Sequence, residues 1–510
     1  MSTERSDPRA IAGAPDRLAS WGFDGWVLAA LVVGTALRFV NLGAAPLWFD
    51  ETFSVYHIHF PWQGFVGSVM QDNQAPIYYA ALKAWTGFAG TSPASMRMPG
   101  LLASAACIPL VAACAQLLAG TRAARMAAWL TAISPFLIQH GQDARPYAML
   151  AVFAAADLLV LIRFVMGRSP RLGLLWVTLA VGVIQTHYYG IFFLAGEGLA
   201  LLLLRPQPIR SWLPAGVVAG SLCVGAVLAA ASKASGVFAG QYELGMTALP
   251  GVVWSLLTGY TLMPTSEALH ALGPHAILPD LPIALLAAPA LAVLVWSALQ
   301  RLDRRARTVL LSTFGVALLL PFAYRVVAGA GVHPRYFAAA FAPLLVLVAA
   351  GMAPGERGSA RGVATIMLLF VMTYATVLHL HDPAHGREDI LAAGRWLDAN
   401  VPEDEEILIS SIEMEHLARF HWPNRHFRLF PTEHGPLKPT ERSVVAAAMP
   451  FPSPSRAIFM VGRAWISDPD GDFQKELGER YPTCPGTDVR GIRILCFRPQ
   501  HDAAIAHAQP

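Results

Sequence analysis

Residues 76–90 read PIYYAALKAWTGFAG, and whether this run crosses a bilayer decides the architecture of everything that follows it. The run is apolar but short, and Lys83 stands inside it. A hydrocarbon core of about 30 Å takes roughly 20 helical residues to cross. A shorter apolar helix with a basic residue can lie along the interface instead. The basic residues elsewhere choose between the two. If 76–90 stays on one side, the N-terminus and every second loop together hold sixteen arginines: Arg5, Arg9, Arg17, Arg122, Arg125, Arg163, Arg168, Arg171, Arg205, Arg210, Arg301, Arg304, Arg305, Arg307, Arg357 and Arg361. The opposite loops hold seven basic residues: Arg38, Lys83, Arg97, Arg145, Lys233, Arg325 and Arg335. Cytoplasmic loops carry the Lys/Arg excess. Were 76–90 to cross, every later loop would invert and the bias would fail. The sequence therefore predicts an interfacial helix at 76–90 and a cytoplasmic N-terminus.

Working outward, apolar runs predict spans near 24–42, 97–119, 124–140, 145–165, 172–189, 190–205, 212–231, 282–300, 308–328, 336–352 and 361–380. That is about eleven transmembrane helices, an odd number, so the C-terminus lies outside. The composition agrees: 55% of the residues are hydrophobic and 14% charged, against about 25% charged in a soluble protein. From about residue 383 the composition becomes ordinary. The expected organisation is a cytoplasmic tail at 1–23, a transmembrane domain at 24–382, a small extracytoplasmic α/β domain at 383–499 and a disordered tail at 500–510. The N-terminal residues have no cleavable apolar core, so the first run reads as a retained span. Arginine far outnumbers lysine, which points to a GC-rich bacterial genome and a bacterial inner membrane. Cys107, Cys114 and Cys223 fall in apolar runs and read as packing residues. Cys484 and Cys496 fall in the outer domain, where an oxidising compartment predicts a disulfide between them.

This topology gathers the polar motifs on the outer face. LWFDE (47–51), QDNQAPIYY (71–79), Arg97, GQDARPY (141–147), THYYG (186–190) and HPRY (333–336) all emerge there. Ionisable groups at a membrane are costly unless paired or hydrated, so a one-sided concentration marks a site. Asp50 and Glu51 have a plain alternative as the cap and first-turn acid of a helix. The chemical reading is a general base that takes a proton from an attacking hydroxyl. Arg145 and Tyr147 suit a phosphate, because a guanidinium offers a fixed donor fork. Asp143 beside Arg145 reads equally as a loop-stabilising pair. Arg38, Arg97, Arg335 and Tyr336 are further phosphate candidates, and Gln74, Tyr78, His187 and Tyr188 are candidate substrate contacts. For any one arginine, snorkelling to the interface is the plain alternative. No HExxH metal signature and no GxxxxGK[ST] phosphate loop occurs. A divalent ion held by the carboxylates Asp50 and Asp143 is the one metal arrangement left open. Nothing points to a nucleic-acid partner.

In this order and spacing, LWFDE, QAPIYY, Arg97-Met98-Pro99, QDARPY, THYYG and HPRY resemble the GT-C glycosyltransferases. More narrowly, they are similar to the bacterial family 39-like branch related to protein mannosyltransferases and to the lipid A aminoarabinose transferase. The resemblance covers the membrane domain and is strongest over 38–190; REDILAAGRWLDANVPEDEEILIS (387–410) also looks like the start of such enzymes' outer domain. Two departures stand out. Gln74-Ala75-Pro76 replaces the usual proline pair after His or Lys, and Asp143 replaces a common Glu. The resemblance implies a polyprenyl-phosphate sugar donor, a lipid, glycan or protein acceptor, and inversion at the anomeric carbon. It also implies Asp50 as the base and Arg145 as a partner of the leaving phosphate. A polytopic transporter or flippase is the competing class. It finds no internal repeat here, and the motif acids lie at loop edges. In the tail, 386–398 reads as an amphipathic helix, and ILIS (407–410) and AIFMVG (457–462) read as buried strands.

Overall fold

The computed structural model describes residues 24–167, 171–205, 213–233, 249–328, 332–353, 359–382, 385–431, 437–453 and 455–499. The expected tails at 1–23 and 500–510 lie outside the described residues. The chain divides into two compact units. The first comprises Met1–Leu42, Trp62–Leu262 and Asp280–His381; the second comprises Gly43–Pro61, Met263–Pro279 and Asp382–Pro510. The helices up to the second polar loop are α1 (Gly25–Phe39), α2 (Phe49–His59), α3 (Trp62–Gln71) and α4 (Pro76–Ala89). Next come α5 (Pro93–Ala119), α6 (Thr121–Ala132), α7 (Pro135–Gly141), α8 (Tyr147–Gly167), α9 (Arg171–Thr186), α10 (Gly190–Leu204) and α11 (Leu213–Lys233). Then follow α12 (Leu249–Thr258), α13 (Ser266–Leu272), α14 (Leu281–Arg301), α15 (Arg304–Ala328), α16 (Phe341–Met352) and α17 (Ser359–His381). Of these, α2 and α13 belong to the second unit.

Among the described residues, six stretches are long and apolar enough to cross a membrane: Pro93–Ala119, Tyr147–Met166, Leu281–Arg301, Arg304–Val327, Pro334–Met352 and Ala360–His381. They fall on six of the expected spans. Gly25–Phe39, Leu172–Thr186, Gly190–Leu204 and Gly216–Gly225 are shorter apolar helices on four more, and Leu249–Thr258 is an apolar helix the sequence reading did not foresee. The run 76–90 does form a helix, α4, begun by Pro76 at its first turn.

The expected span 124–140 is instead two helices, broken at Ile133–Ser134. Pro135 causes the break, because it carries no N–H for the carbonyl one turn earlier and disfavours helical geometry in the residue before it. Ser134 restarts the helix by accepting from the Leu137 N–H at 3.2 Å. The carbonyls freed by the break are taken by side chains. Arg38 donates to Thr131 and Ala132 at 3.0 Å each, and Thr376 donates to Ile133 at 2.7 Å. Arg38 also bonds Ser104 Oγ and the Gly34 carbonyl, at 2.6 and 2.7 Å, and is fully buried. Gly34 makes this possible, since a Cβ there would stand 2.9 Å from the Ala132 Cα. Arg38 is thus a backbone clamp in the bundle, not the phosphate contact considered from sequence.

Among the described residues, the acids Asp157 on α8 and Glu197 on α10 lie inside spans, both fully buried. The Trp176 indole donates to Glu197 at 2.8 Å. A hydrogen-bond donor of this kind is one way an acid is tolerated in a span. Beside them, α10 packs tightly on α15, where a Cβ at Gly196 would come within 2.6 Å of the Ser312 carbonyl.

The second unit is built on a five-stranded sheet with order β2-β1-β3-β5-β4. Its strands are β1 (Ile407–Ile409), β2 (Phe427–Leu429), β3 (Ala457–Gly462), β4 (Thr483–Val489) and β5 (Ile492–Phe497). β1 pairs parallel with β2 and β3, and β5 runs antiparallel to β3 and β4. The two expected strands are therefore the central pair β1 and β3, buried along their length. The expected amphipathic helix is α18 (Ile390–Asn400), capped by Asp389, which accepts from Ala392. Two further helices, α19 (Ile412–His421) and α20 (Pro439–Ala447), flank β2, and α21 (Ala464–Ser467) and α22 (Asp472–Arg480) separate β3 from β4. Cys484 and Cys496 face each other across β4 and β5 and form the expected disulfide. α2 packs on α19, and Phe49 joins Ile390, Leu397, Ile407 and Ile494 in one core.

Candidate active site

In the first unit the loop after α7 is anchored before it presents anything. Gln142 donates to the Arg38 and Val40 carbonyls at 3.0 and 2.6 Å, and its oxygen meets His379 Nε2 at 2.9 Å. Those bonds fix Asp143, Arg145 and Tyr147, all of which are buried. Gln139 accepts from the Tyr260 N–H at 3.1 Å and so ties the segment after α12 to the same loop.

Around Arg145 the motifs converge. The His187 ring lies within electrostatic reach of both Arg145 and Arg335. The Arg335 guanidinium stands 5.4 Å from the Tyr147 ring and 5.9 Å from the Tyr336 ring. Ring centroids of Tyr147 and His187, His187 and Tyr336, and Tyr189 and Tyr336 are 5.7, 5.0 and 4.9 Å apart. His140 approaches Asp143 at 4.0 Å and packs on Tyr147 and Tyr260. Tyr260 in turn packs on His333. Residues from α7, the loop after it, the α9–α10 turn, the α12 exit and the Pro334–Ala340 turn thus form one nest: the Arg335 guanidinium against aromatic rings, with Arg145 within electrostatic reach of the same His187 ring. Arginine faces an anion with a planar fork and stacks on rings, so this is a phosphate-type environment with apolar sides.

The sequence named Arg145, Tyr147, Asp143, His187, Arg335 and Tyr336, and the fold brings these together. Gln74 and Tyr188 meet separately: Tyr188 donates to the Gln74 carbonyl at 3.0 Å, and Tyr79 donates to the Gln74 side chain at 3.1 Å. Tyr78 is fully buried beside Tyr79. Arg97 donates to the Leu42 carbonyl at 2.9 Å and so holds the exit of the first span. His140, Tyr189, Tyr260 and His333 were missed as site residues. His140 sits three residues before Asp143 and His333 heads a quoted motif, so both were findable. Tyr260 follows an unforeseen helix and carried no signal.

Asp50 and Glu51 lie in the second unit, in the first turn of α2. Glu51 accepts from the Trp48 N–H at 3.2 Å, the capping role that was its plain alternative. Asp50 instead meets Arg463 Nη2 at 3.3 Å. Arg463 Nε donates to Glu388 at 2.7 Å, and the second Glu388 oxygen accepts from the Phe49 N–H at 3.3 Å. His421 Nε2 donates to the Leu47 carbonyl at 2.6 Å. Burial holds the His421 imidazole below its ordinary value, against the opposing pull of the Leu47 bond and of Glu51. Among the described residues, no three His, Cys, Asp or Glu side chains form a group that could hold a metal ion.

Residues 73–233 match the sequence model of the family described as dolichyl-phosphate-mannose-protein mannosyltransferase. No curated protein sequence matches the chain. The fold is similar to that of ArnT from Cupriavidus metallidurans bound to undecaprenyl phosphate, with TM-score 0.54 and 14% identity over 93% of this chain and 98% of that one. The apo form of that protein gives TM-score 0.54 and 13% identity over 92% and 98%. The apo oligosaccharyltransferase of Archaeoglobus fulgidus gives TM-score 0.51 and 13% identity over 88% of this chain and 70% of that one. Taken with the apolar helices and the small sheet unit, these likenesses make the chain a polytopic membrane protein of the GT-C glycosyltransferase fold.

Proposed function

We propose that this protein transfers a sugar from a polyprenyl-phosphate donor to a hydroxyl acceptor on a lipid, glycan or protein at the periplasmic face of a bacterial inner membrane, with inversion. The observation that carries the reading is the nest of Arg145 and Arg335 walled by Tyr147, His187, Tyr189 and Tyr336. A polyprenyl phosphate offers that chemistry: an anion for the two guanidiniums beside apolar matter for the rings. The similar ArnT structure, bound to undecaprenyl phosphate, supports the donor class.

In the proposed step the acceptor oxygen attacks the anomeric carbon as the bond from that carbon to the phosphate oxygen breaks. The acceptor's proton passes to a general base, the role that the sequence resemblance gives to Asp50. The lipid phosphate leaves with the bonding electron pair, and its growing charge is what Arg145 and Arg335 stabilise. Donors aimed at charge that develops in the transition state are usually the largest catalytic contribution. No step here uses a metal ion. The disulfide of the sheet unit fits an oxidising compartment.

The test is purified protein with a panel of radiolabelled polyprenyl-phosphate sugars and membrane-lipid, glycan and peptide acceptors. Label moving from donor to one acceptor class is the expected result. Donor binding with no transfer to any acceptor would instead favour lipid movement.

A further inference from the structure

We propose that Arg463 is a positioning residue for Asp50: it fixes the carboxylate for proton acceptance and is itself held by Glu388. The inference rests on the reading of Asp50 as the base. All three residues belong to the second unit.

The geometry is a closed ring. Arg463 follows β3 and precedes α21, with left-handed backbone at φ 46°. A non-glycine residue keeps that conformation only when its surroundings impose it, and such residues cluster at functional sites. Here the Arg463 N–H bonds the Gly491 carbonyl at 3.0 Å. The conformation sends the guanidinium under the LWFDE turn, where Nη2 meets Asp50 at 3.3 Å and Nε meets Glu388 at 2.7 Å. Glu388 closes the ring through its second oxygen on the Phe49 N–H. The guanidinium stands 3.8 Å from the Phe49 ring centroid and 5.5 Å from that of Trp48. Its side chain is 12% exposed and that of Glu388 is 3% exposed.

These contacts specify arginine. Only a planar fork can stack on Phe49 and bond two carboxylates at once. Glu388 takes up part of the guanidinium's charge, and Arg463 meets one Asp50 oxygen, Oδ1. Held at that oxygen, the carboxylate keeps one orientation in which to take the acceptor's proton. A group misplaced by about 1 Å can cost about 10²-fold in rate.

The experiment uses the full chain with whichever donor and acceptor the panel finds active. Arg463→Gln should lower kcat by roughly 10- to 100-fold while the KM for donor changes little. Arg463→Lys should recover only part of the loss. On an Asp50→Asn background, Arg463→Gln should add almost nothing, because residues acting as one unit are non-additive. A purely structural arginine would give an additive loss and a lower unfolding midpoint in both backgrounds, and that result overturns the proposal. If Asp50→Asn abolishes transfer and Arg463→Gln keeps full kcat, the positioning role is wrong while the base stands. If Asp50→Asn itself keeps transfer, the reading of the base fails first. Should Arg463→Gln not fold, Arg463→Lys decides alone: a lowered kcat at unchanged donor KM supports the role, and an unchanged kcat overturns it.

Discussion

Asp50 and Arg145 should answer substitution differently. Asp50→Asn keeps shape and hydrogen bonding but removes the proton acceptor, so transfer should fall by about 10²–10⁴-fold with donor binding nearly intact. Arg145→Ala removes a phosphate contact made before and during bond breaking, so donor binding and turnover should weaken together. Equilibrium binding of labelled donor, measured beside initial rates, separates the two patterns. Glu51→Gln is the control. Its carboxylate caps α2, so a rate loss matching that of Asp50→Asn would move the base to Glu51. His421 belongs to this scale too. The fold favours its neutral form, so the folded chain binds fewer protons there than the unfolded chain, whose histidine titrates near 6.5. Its contribution to stability is complete above about pH 6.5 and shrinks as pH falls below that value. His421→Gln should therefore flatten the drop in unfolding midpoint between about pH 7.5 and 5.5; an unchanged slope would count against it. Among these residues, Asp50, Arg145 and Arg335 stand out in the sequence because each breaks a local rule, being a charge at an expected membrane edge. Arg463 broke none. It lies in an ordinary soluble stretch, more than 400 residues from its partner, and only the fold joins them.

At the scale of elements, the spans read well wherever hydrophobic length alone sets the helix. The miss at 124–140 came from weighing hydropathy above backbone chemistry: Ser134-Pro135 is a stop and a restart. The sheet shows the opposite balance. β1 and β3 are buried, β-branched runs and announced themselves. β4, TCPGTDV, is an exposed edge holding a proline and a glycine, and no hydrophobic pattern marks it. What identifies it is its cross-link to β5. Losing that link by Cys484→Ser should cost about 2–4 kcal/mol, read as a lower unfolding midpoint of the unreduced chain. Dithiothreitol should bring the parent protein down to the same midpoint, and a variant that melts like the unreduced parent would show the cross-link to be dispensable.

For the molecule as a whole, the decisive expectation is sidedness. Arginine and lysine counts predict that α4 lies along the outer surface and that the sheet unit is outside. Alkaline phosphatase fused after residue 400 should be active in a bacterial host, and a cytoplasmic readout would sink the periplasmic assignment with it. The membrane fold was legible because hydrophobic length is summed over hundreds of residues and survives local errors. Less visible is that Gly43–Pro61 and Met263–Pro279 join the second unit. α2 is only a loop away from the first span in sequence, yet Phe49 is packed with Ile390 and Ile407 in the second unit. Tertiary packing chose that membership, and nothing in the local pattern encodes it.

The clamp at Arg38 sets a schedule for making the protein. Its carbonyl partner Ala132 lies 94 residues further along the chain. At roughly 5–20 residues per second of synthesis, the first helix waits some 5–20 seconds at the translocon before Thr131 and Ala132 exist to receive its charge. Until then Arg38 must reach for lipid headgroups at the bilayer edge. The Arg38 clamp can therefore close only after residues 131 and 132 have been made.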